Sequence, residues 1–107
     1  DWERNAEQVV KIACDFGDAA VTRALYFSRM PIPWGAGQHW HHVGVYAWRR
    51  NALERFVSLP QSALEQRESL EQLRALEAGM SIGCARIEHA PQGVDTPEDL
   101  ERVRGLV

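Results

Sequence analysis

The sequence predicts a mixed α/β or α+β fold, and three observations carry that expectation. Val9 to Asp15 alternates with a period of two. Leu70, Leu73, Leu76 and Met80 recur at helical spacing. Thr96-Pro97-Glu98-Asp99 has the chemistry of a helix start: a hydroxyl cap, a proline at the first helical position and acidic residues in the first turn. In chain order the expected elements run βββααβα.

In the first strand Val10, Ile12 and Cys14 point one way, Lys11 and Asp15 the other, and Phe16-Gly17-Asp18 supplies a turn. Ala24 to Met30 reads as a second strand with Leu25, Phe27 and Arg29 on a core-directed face. Pro31 and Pro33 end it, because neither has an N–H to give a ladder. After a Gly-containing loop from Trp34 to Gln38, His41 to Arg49 reads as a third strand. Period two places His42, Gly44, Tyr46 and Trp48 on one face and Val43, Val45 and Ala47 on a core face. In an extended chain this sets His42 and Tyr46 about 13 Å apart. Asn51 to Ser58 suggests a short helix. Pro60 separates it from a longer one, Ser62 to Ala78, which Gly79 stops. Ser81 to His89 is an expected fourth strand, Pro91-Gln92-Gly93 a turn, and the last helix starts at Pro97 and runs to the chain end.

The 107 residues suit one small domain. With 45% hydrophobic and 25% charged residues, the composition is that of an ordinary globular chain. A net charge of −3 gives no general attraction to nucleic acid or an anionic membrane, and no apolar run approaches the roughly 20 residues of a membrane span. Cys14 and Cys84, without a C-x-x-C pair, fit buried thiols in a reducing compartment. The phosphate-loop, dinucleotide and nucleophile-elbow motifs are all absent from the sequence. Asp1-Trp2-Glu3-Arg4-Asn5 does not read as a natural start, and three short strands in a row suit a sheet continued elsewhere, so a piece of a longer chain is expected.

Several residues invite a chemical reading beside a structural one. Asp95 precedes the helix cap, where the backbone has no need of it. It reads either as a Mg²⁺ carboxylate or as a turn-stabilising Asx contact. Arg29 on a core-directed face needs an anionic partner, from the protein or from a ligand. The His42 and Tyr46 face is either wet surface or two sides of a small polar ligand lying over Gly44. Glu68, Glu71 and Gln72 lie opposite the apolar stripe, a solvated face unless something meets it, and Arg67 and Arg74 stand at pairing distance from Glu71. His39 and His41 share a strand face but lack a fuller metal-ligand set.

Four stretches together resemble one family. Ala24-Leu25-Tyr26-Phe27-Ser28-Arg29 followed by Ile32-Pro33-Trp34, the strand His42-Val43-Gly44-Val45-Tyr46, and the helix Leu64-Glu65 with Glu68-Ser69-Leu70-Glu71-Gln72-Leu73-Arg74 are similar to segments of the 3-deoxy-manno-octulosonate cytidylyltransferases. Gly93-Val94-Asp95-Thr96-Pro97-Glu98-Asp99-Leu100 matches their motif letter for letter, and all four occur in family order. The resemblance implies the C-terminal part of an α/β, Rossmann-like nucleotide-diphospho-sugar transferase fold, with residues 1–107 as one sugar-binding and dimerisation fragment of a larger domain. It implies transfer of CMP from CTP to the anomeric hydroxyl of 3-deoxy-manno-octulosonate (Kdo), with Mg²⁺, for lipopolysaccharide synthesis by a cytoplasmic homodimer. By residue match, Arg29, His42, Tyr46, Glu71 and Gln72 would bind Kdo, and Asp95 would be a catalytic metal ligand. The chain departs from the family in a shorter loop from Trp34 to His42, in Trp48 where Tyr is more usual, and in lacking the N-terminal half with the cytidine site and the other metal aspartate. The fragment alone is therefore expected to be inactive. A non-catalytic association or sugar-binding module is the competing expectation.

Overall fold

The computed structural model describes residues 2–88 and 96–105. Its elements are α1 (Trp2–Asn5), β1 (Lys11–Ala13), β2 (Val21–Arg23), β3 (Tyr26–Ser28), β4 (Trp40–His41), α2 (Arg50–Ser58), α3 (Ala63–Glu68), α4 (Leu73–Glu77), β5 (Gly83–Ala85) and α5 (Pro97–Arg104). The mixed α/β expectation stands, but the elements are shorter and more numerous than βββααβα.

Strand β1 is the centre of an antiparallel sheet ordered β3-β1-β4. Ile12 faces Phe27 on one side and Trp40 on the other, so three large apolar side chains share one face. That face meets the helical stripe: Ile12, Ala24, Phe27, Leu70 and Leu73 form the buried core. Lys11 is buried as well, and its Nζ donates to the Ala6 and Arg29 carbonyls at 2.6 Å each. A second, two-stranded sheet pairs β2 with β5, setting Thr22 opposite Cys84. The link between the sheets is residues 24–25: Ala24 N–H donates to the Ile82 carbonyl and Leu25 N–H to the Ala13 carbonyl. Because the chain changes sheet there, the alternation does not run through from 24 to 30. Ala24 is buried and Leu25, expected in the core, is exposed.

Two expected elements are corrected. The third strand pairs only over Trp40–His41, and after His42 N–H donates to the Val10 carbonyl the chain leaves the ladder. Val45 N–H then donates to the Val43 carbonyl, a tight three-residue turn around Gly44. Val45, assigned to a core face, is 83% exposed. The long helix is broken at Ser69, whose φ of 57° is left-handed and caps α3. Leu70 N–H closes the end by donating to the Glu65 carbonyl, the wider bond that follows such a residue. Ser62 and Glu65 form a capping box at the start of α3, and Arg74 reaches back from α4 to Glu65 with two bonds of 2.9 and 2.6 Å. The apolar stripe survives the break because α3 and α4 fold into a clamped hairpin over the sheet. The last helix begins as expected, with Thr96 and Asp99 in a capping box and Pro97 at its start.

Candidate functional site

A cavity of about 1020 Å³ lies beside the β3-β1-β4 sheet, and His42, Tyr46, Glu71 and Gln72 all line it. The turn around Gly44 brings the first two together. Tyr46 Oη lies 2.7 Å from His42 Nε2, with ring centroids 5.5 Å apart, so the expected 13 Å separation is wrong. The two rings form one wall and do not bracket a space. Behind them, Phe27 meets His42 edge-on at 5.3 Å, and Trp48 stacks between Tyr46 and Phe56 at 6.4 and 4.9 Å.

The hairpin also contributes to the lining, and its carboxylates have separate duties. Glu65 is taken by Arg74, which also holds its carboxyl below the usual range. Glu68, expected on a solvated face, accepts from Tyr26 Oη at 3.0 Å and Ser28 Oγ at 2.9 Å. Glu77 caps the Leu64 N–H. The side chains of Glu71 and Gln72 make no hydrogen bond among the described residues, and the Arg74 placed to pair with Glu71 is committed to Glu65. Both residues line the cavity.

Arg29 does not line this cavity. Its guanidinium donates to the carbonyls of Glu68 (3.2 Å), Glu7 (3.1 Å) and Ser69 (3.1 Å). The anion expected for it is replaced by main-chain oxygens, two of them at the negative end of α3. This fixes the backbone directly ahead of Glu71 and Gln72. Asp95 and Gly93 lie outside the described residues, but Asp99, in the first turn of the helix that follows them, lines the cavity. His39 turns both ring nitrogens onto the Pro33 and Gly37 carbonyls of its own loop, and His41 pairs with Glu3 at 2.8 Å, so the two do not converge. Among the described residues no group of three or more His, Cys, Asp or Glu could hold a metal ion, and no helix is long and apolar enough to cross a membrane.

Cys14 and Cys84 also line the cavity as free, half-buried thiols. Sequence reasoning gave them only a buried role. Their convergence comes from residues 22 and 24–25 lying between the two segments that carry them, which no local pattern announces. Burial, then the neighbouring Cys84 and Asp15, pushes Cys14 from 9.0 up to about 11. Burial, with Cys84 and Glu71 adding to it, pushes Tyr46 from 10.0 up to about 12. Both folded values lie above the unfolded ones, so the folded chain holds more protons between about pH 9 and about 12, and stability is lost as pH rises through that window. Urea midpoints are expected to fall between about pH 8 and about pH 11, and Cys14→Ala should flatten the lower part of the decline. Equal midpoints at the two pH values would contradict this account.

Comparison with known proteins gives these residues a setting. Residues 5–82 match a family model described as cytidylyltransferase. The chain is 58% identical over 106 residues to a 3-deoxy-manno-octulosonate cytidylyltransferase of Paramagnetospirillum magneticum, covering 98% of this chain and 43% of that protein. It is 57% identical over 105 residues to the same-named protein of Parvibaculum lavamentivorans, covering 98% of this chain and 41% of the relative. The chain thus spans about two fifths of the length of these curated relatives. A solved structure of CMP:2-keto-3-deoxy-manno-octonic acid synthetase complexed with CTP superposes with a TM-score of 0.76 at 42% identity, over 98% of this chain and 44% of that one. The short strands and the broken helix hairpin are therefore part of a nucleotide-sugar transferase-like fold, and the chain belongs to the cytidylyltransferase family.

Proposed function

We propose that this chain is the sugar-binding part of an enzyme that transfers CMP from CTP to the anomeric hydroxyl of Kdo, releasing pyrophosphate. The observation that carries the reading is the cavity wall of Glu71 and Gln72. On a hairpin where the other carboxylates Glu65, Glu68 and Glu77 are engaged, these two polar side chains make no hydrogen bond among the described residues and line the same cavity as His42 and Tyr46. Kdo is a polyhydroxylated acid, and hydroxyls need the donors and acceptors that a carboxylate, an amide, an imidazole and a phenol provide. Holding the sugar in one pose is the main contribution such residues make to an in-line displacement at phosphorus. Arg29 serves this site in our reading by fixing the Glu68–Ser69 backbone.

Mg²⁺ would supply charge neutralisation at the phosphate when bound. The described residues do not form a complete site for it. Mg²⁺ needs only one or two carboxylates beside phosphates and water, and Asp95 is the candidate for one of them in our reading. The cytidine and triphosphate site, and the second metal carboxylate, are placed in the stretch of the relatives that this chain does not span. A cytoplasmic homodimer is the expected assembly.

Calorimetric titration of the 107-residue chain with Kdo tests the reading. Saturable binding is expected, weakened about tenfold or more by Glu71→Ala, the loss of a hydrogen bond to a charged group. Absence of binding by the folded wild-type chain, with association intact in solution, would favour a non-catalytic association module. CMP-Kdo formation by this chain alone from CTP, Mg²⁺ and Kdo would overturn the assignment of the nucleotide site to a separate stretch.

A further inference from the structure

The His42–Tyr46 contact holds one hydrogen, whose donor depends on the tautomer of the ring. Its length of 2.7 Å is short for an N–H···O bond, which centres on about 2.9–3.0 Å, and ordinary for a hydroxyl donor. A neutral imidazole carries one N–H donor and one acceptor nitrogen, and the partner of one nitrogen fixes the role of the other. Packing also holds both rings in place. Phe27 abuts His42 at 5.3 Å, Trp48 lies 6.4 Å from Tyr46 on Phe56, and Arg74 covers the Phe56 ring at 4.8 Å. A ring flip that exchanged Nδ1 and Nε2 would break the 2.7 Å bond and disturb this stack.

We propose that Tyr46 is a positioning residue that locks His42 as its Nδ1–H tautomer, so that the cavity meets a ligand with a fixed sense: His42 Nδ1 donates, while the Tyr46 oxygen and the Glu71 carboxylate accept. The ligand in this statement rests on the sugar-pocket reading above; the tautomer does not. Among the described residues Nδ1 makes no hydrogen bond, so its proton is available to a ligand. Burial, and after it His41, lowers the affinity of His42 for a second proton, which keeps the ring neutral at pH 7. Burial pushes the Tyr46 phenol up to about 12, which keeps its hydrogen on the oxygen. Isolated neutral imidazole side chains favour the Nε2–H form, so the lock predicts a departure that the protein itself imposes.

Long-range ¹H–¹⁵N correlation on the histidine-labelled chain at about pH 7 reads the tautomer directly. The expected spectrum shows His42 Nε2 as the unprotonated nitrogen and Nδ1 as the protonated one. In Tyr46→Phe, which keeps the ring and removes the hydroxyl, the Nε2–H population should rise. A proton on Nε2 in the wild type overturns the proposal without recourse to any variant, and so does a Tyr46→Phe spectrum unchanged from wild type. Kdo titration of the same samples is a separate readout, expected to weaken about tenfold in Tyr46→Phe. An Nδ1–H tautomer in a chain that binds no Kdo would sink the sugar-pocket reading and leave the lock standing.

Discussion

Phe27→Ala is expected to lose about 3–5 kcal/mol, the usual cost of deleting a fully buried aromatic ring. A domain of this size is stable by about 5–15 kcal/mol in all, so a large share of that margin goes with one side chain. Phe27 is 1% exposed and sits at the centre of the core with Ile12, Ala24, Leu70 and Leu73. It is also the wall on which the His42 ring rests. Loss of the ring therefore empties the join between sheet and hairpin and loosens the cavity together. Urea denaturation checks the first effect, and a loss below about 1 kcal/mol would mean that the site collapses around the void. Phe27→Leu, which refills part of the space, should keep the chain folded while changing the surroundings of His42.

Arg29→Ala comes next, at about 2–3 kcal/mol. Three hydrogen bonds from a charged donor are lost, and the partial exposure of the guanidinium reduces what each contributes. The damage is concentrated at one turn. Ser69 is held in a left-handed conformation that costs a non-glycine residue about 1–2 kcal/mol, and the guanidinium bonds to Glu68 and Ser69 are what offset it. Arg29→Lys should fail to rescue, because a single ammonium cannot reach three carbonyls in three directions. Adding Ser69→Gly should recover about 1 kcal/mol by relieving the backbone. Thermal melts of these three variants beside wild type decide the matter. An Arg29→Lys chain as stable as wild type would show that charge alone, and not the fork, serves the turn. Kdo affinity should fall with Arg29→Ala even where stability is restored, since Glu71 and Gln72 follow the turn directly.

What the sequence disclosed and what it hid divide along a physical line. Elements defined by their own residues were legible: β1 and β3 from alternation, α2 from its length before Pro60, and α5 from Thr96, Pro97 and Asp99. So was the core stripe, because Leu70 and Leu73 keep their spacing whether or not the helix is continuous. The break at Ser69 was hidden because its causes are distant. Tyr26 and Ser28 hold the Glu68 side chain, and Arg29 holds the carbonyls, all about forty residues away in sequence. The false third strand has a similar source. Period two is a sound guide only while the chain stays extended, and here Gly44 permits a turn that the Tyr46 hydroxyl on His42 closes. Of the candidate site residues, His42, Tyr46, Glu71 and Gln72 line one cavity, while the wide separation expected between the first two is not found. Arg29 was expected to find an anion and found carbonyls, because a helix end supplies partial negative charge that sequence periodicity does not reveal.

Lys11 has a consequence for the chemistry done on this molecule. It is the chain's one lysine among its 12 basic Lys and Arg residues, and its amine is enclosed between the Ala6 and Arg29 carbonyls. The folded surface among the described residues thus offers no lysine to acetylating or ubiquitinating enzymes, or to amine-reactive cross-linkers. Acylation of Lys11 requires the β1 surroundings to open first. The rate at which a small amine-reactive reagent marks that residue is therefore a clock for opening of the sheet's central strand, built into the sequence without any engineered label.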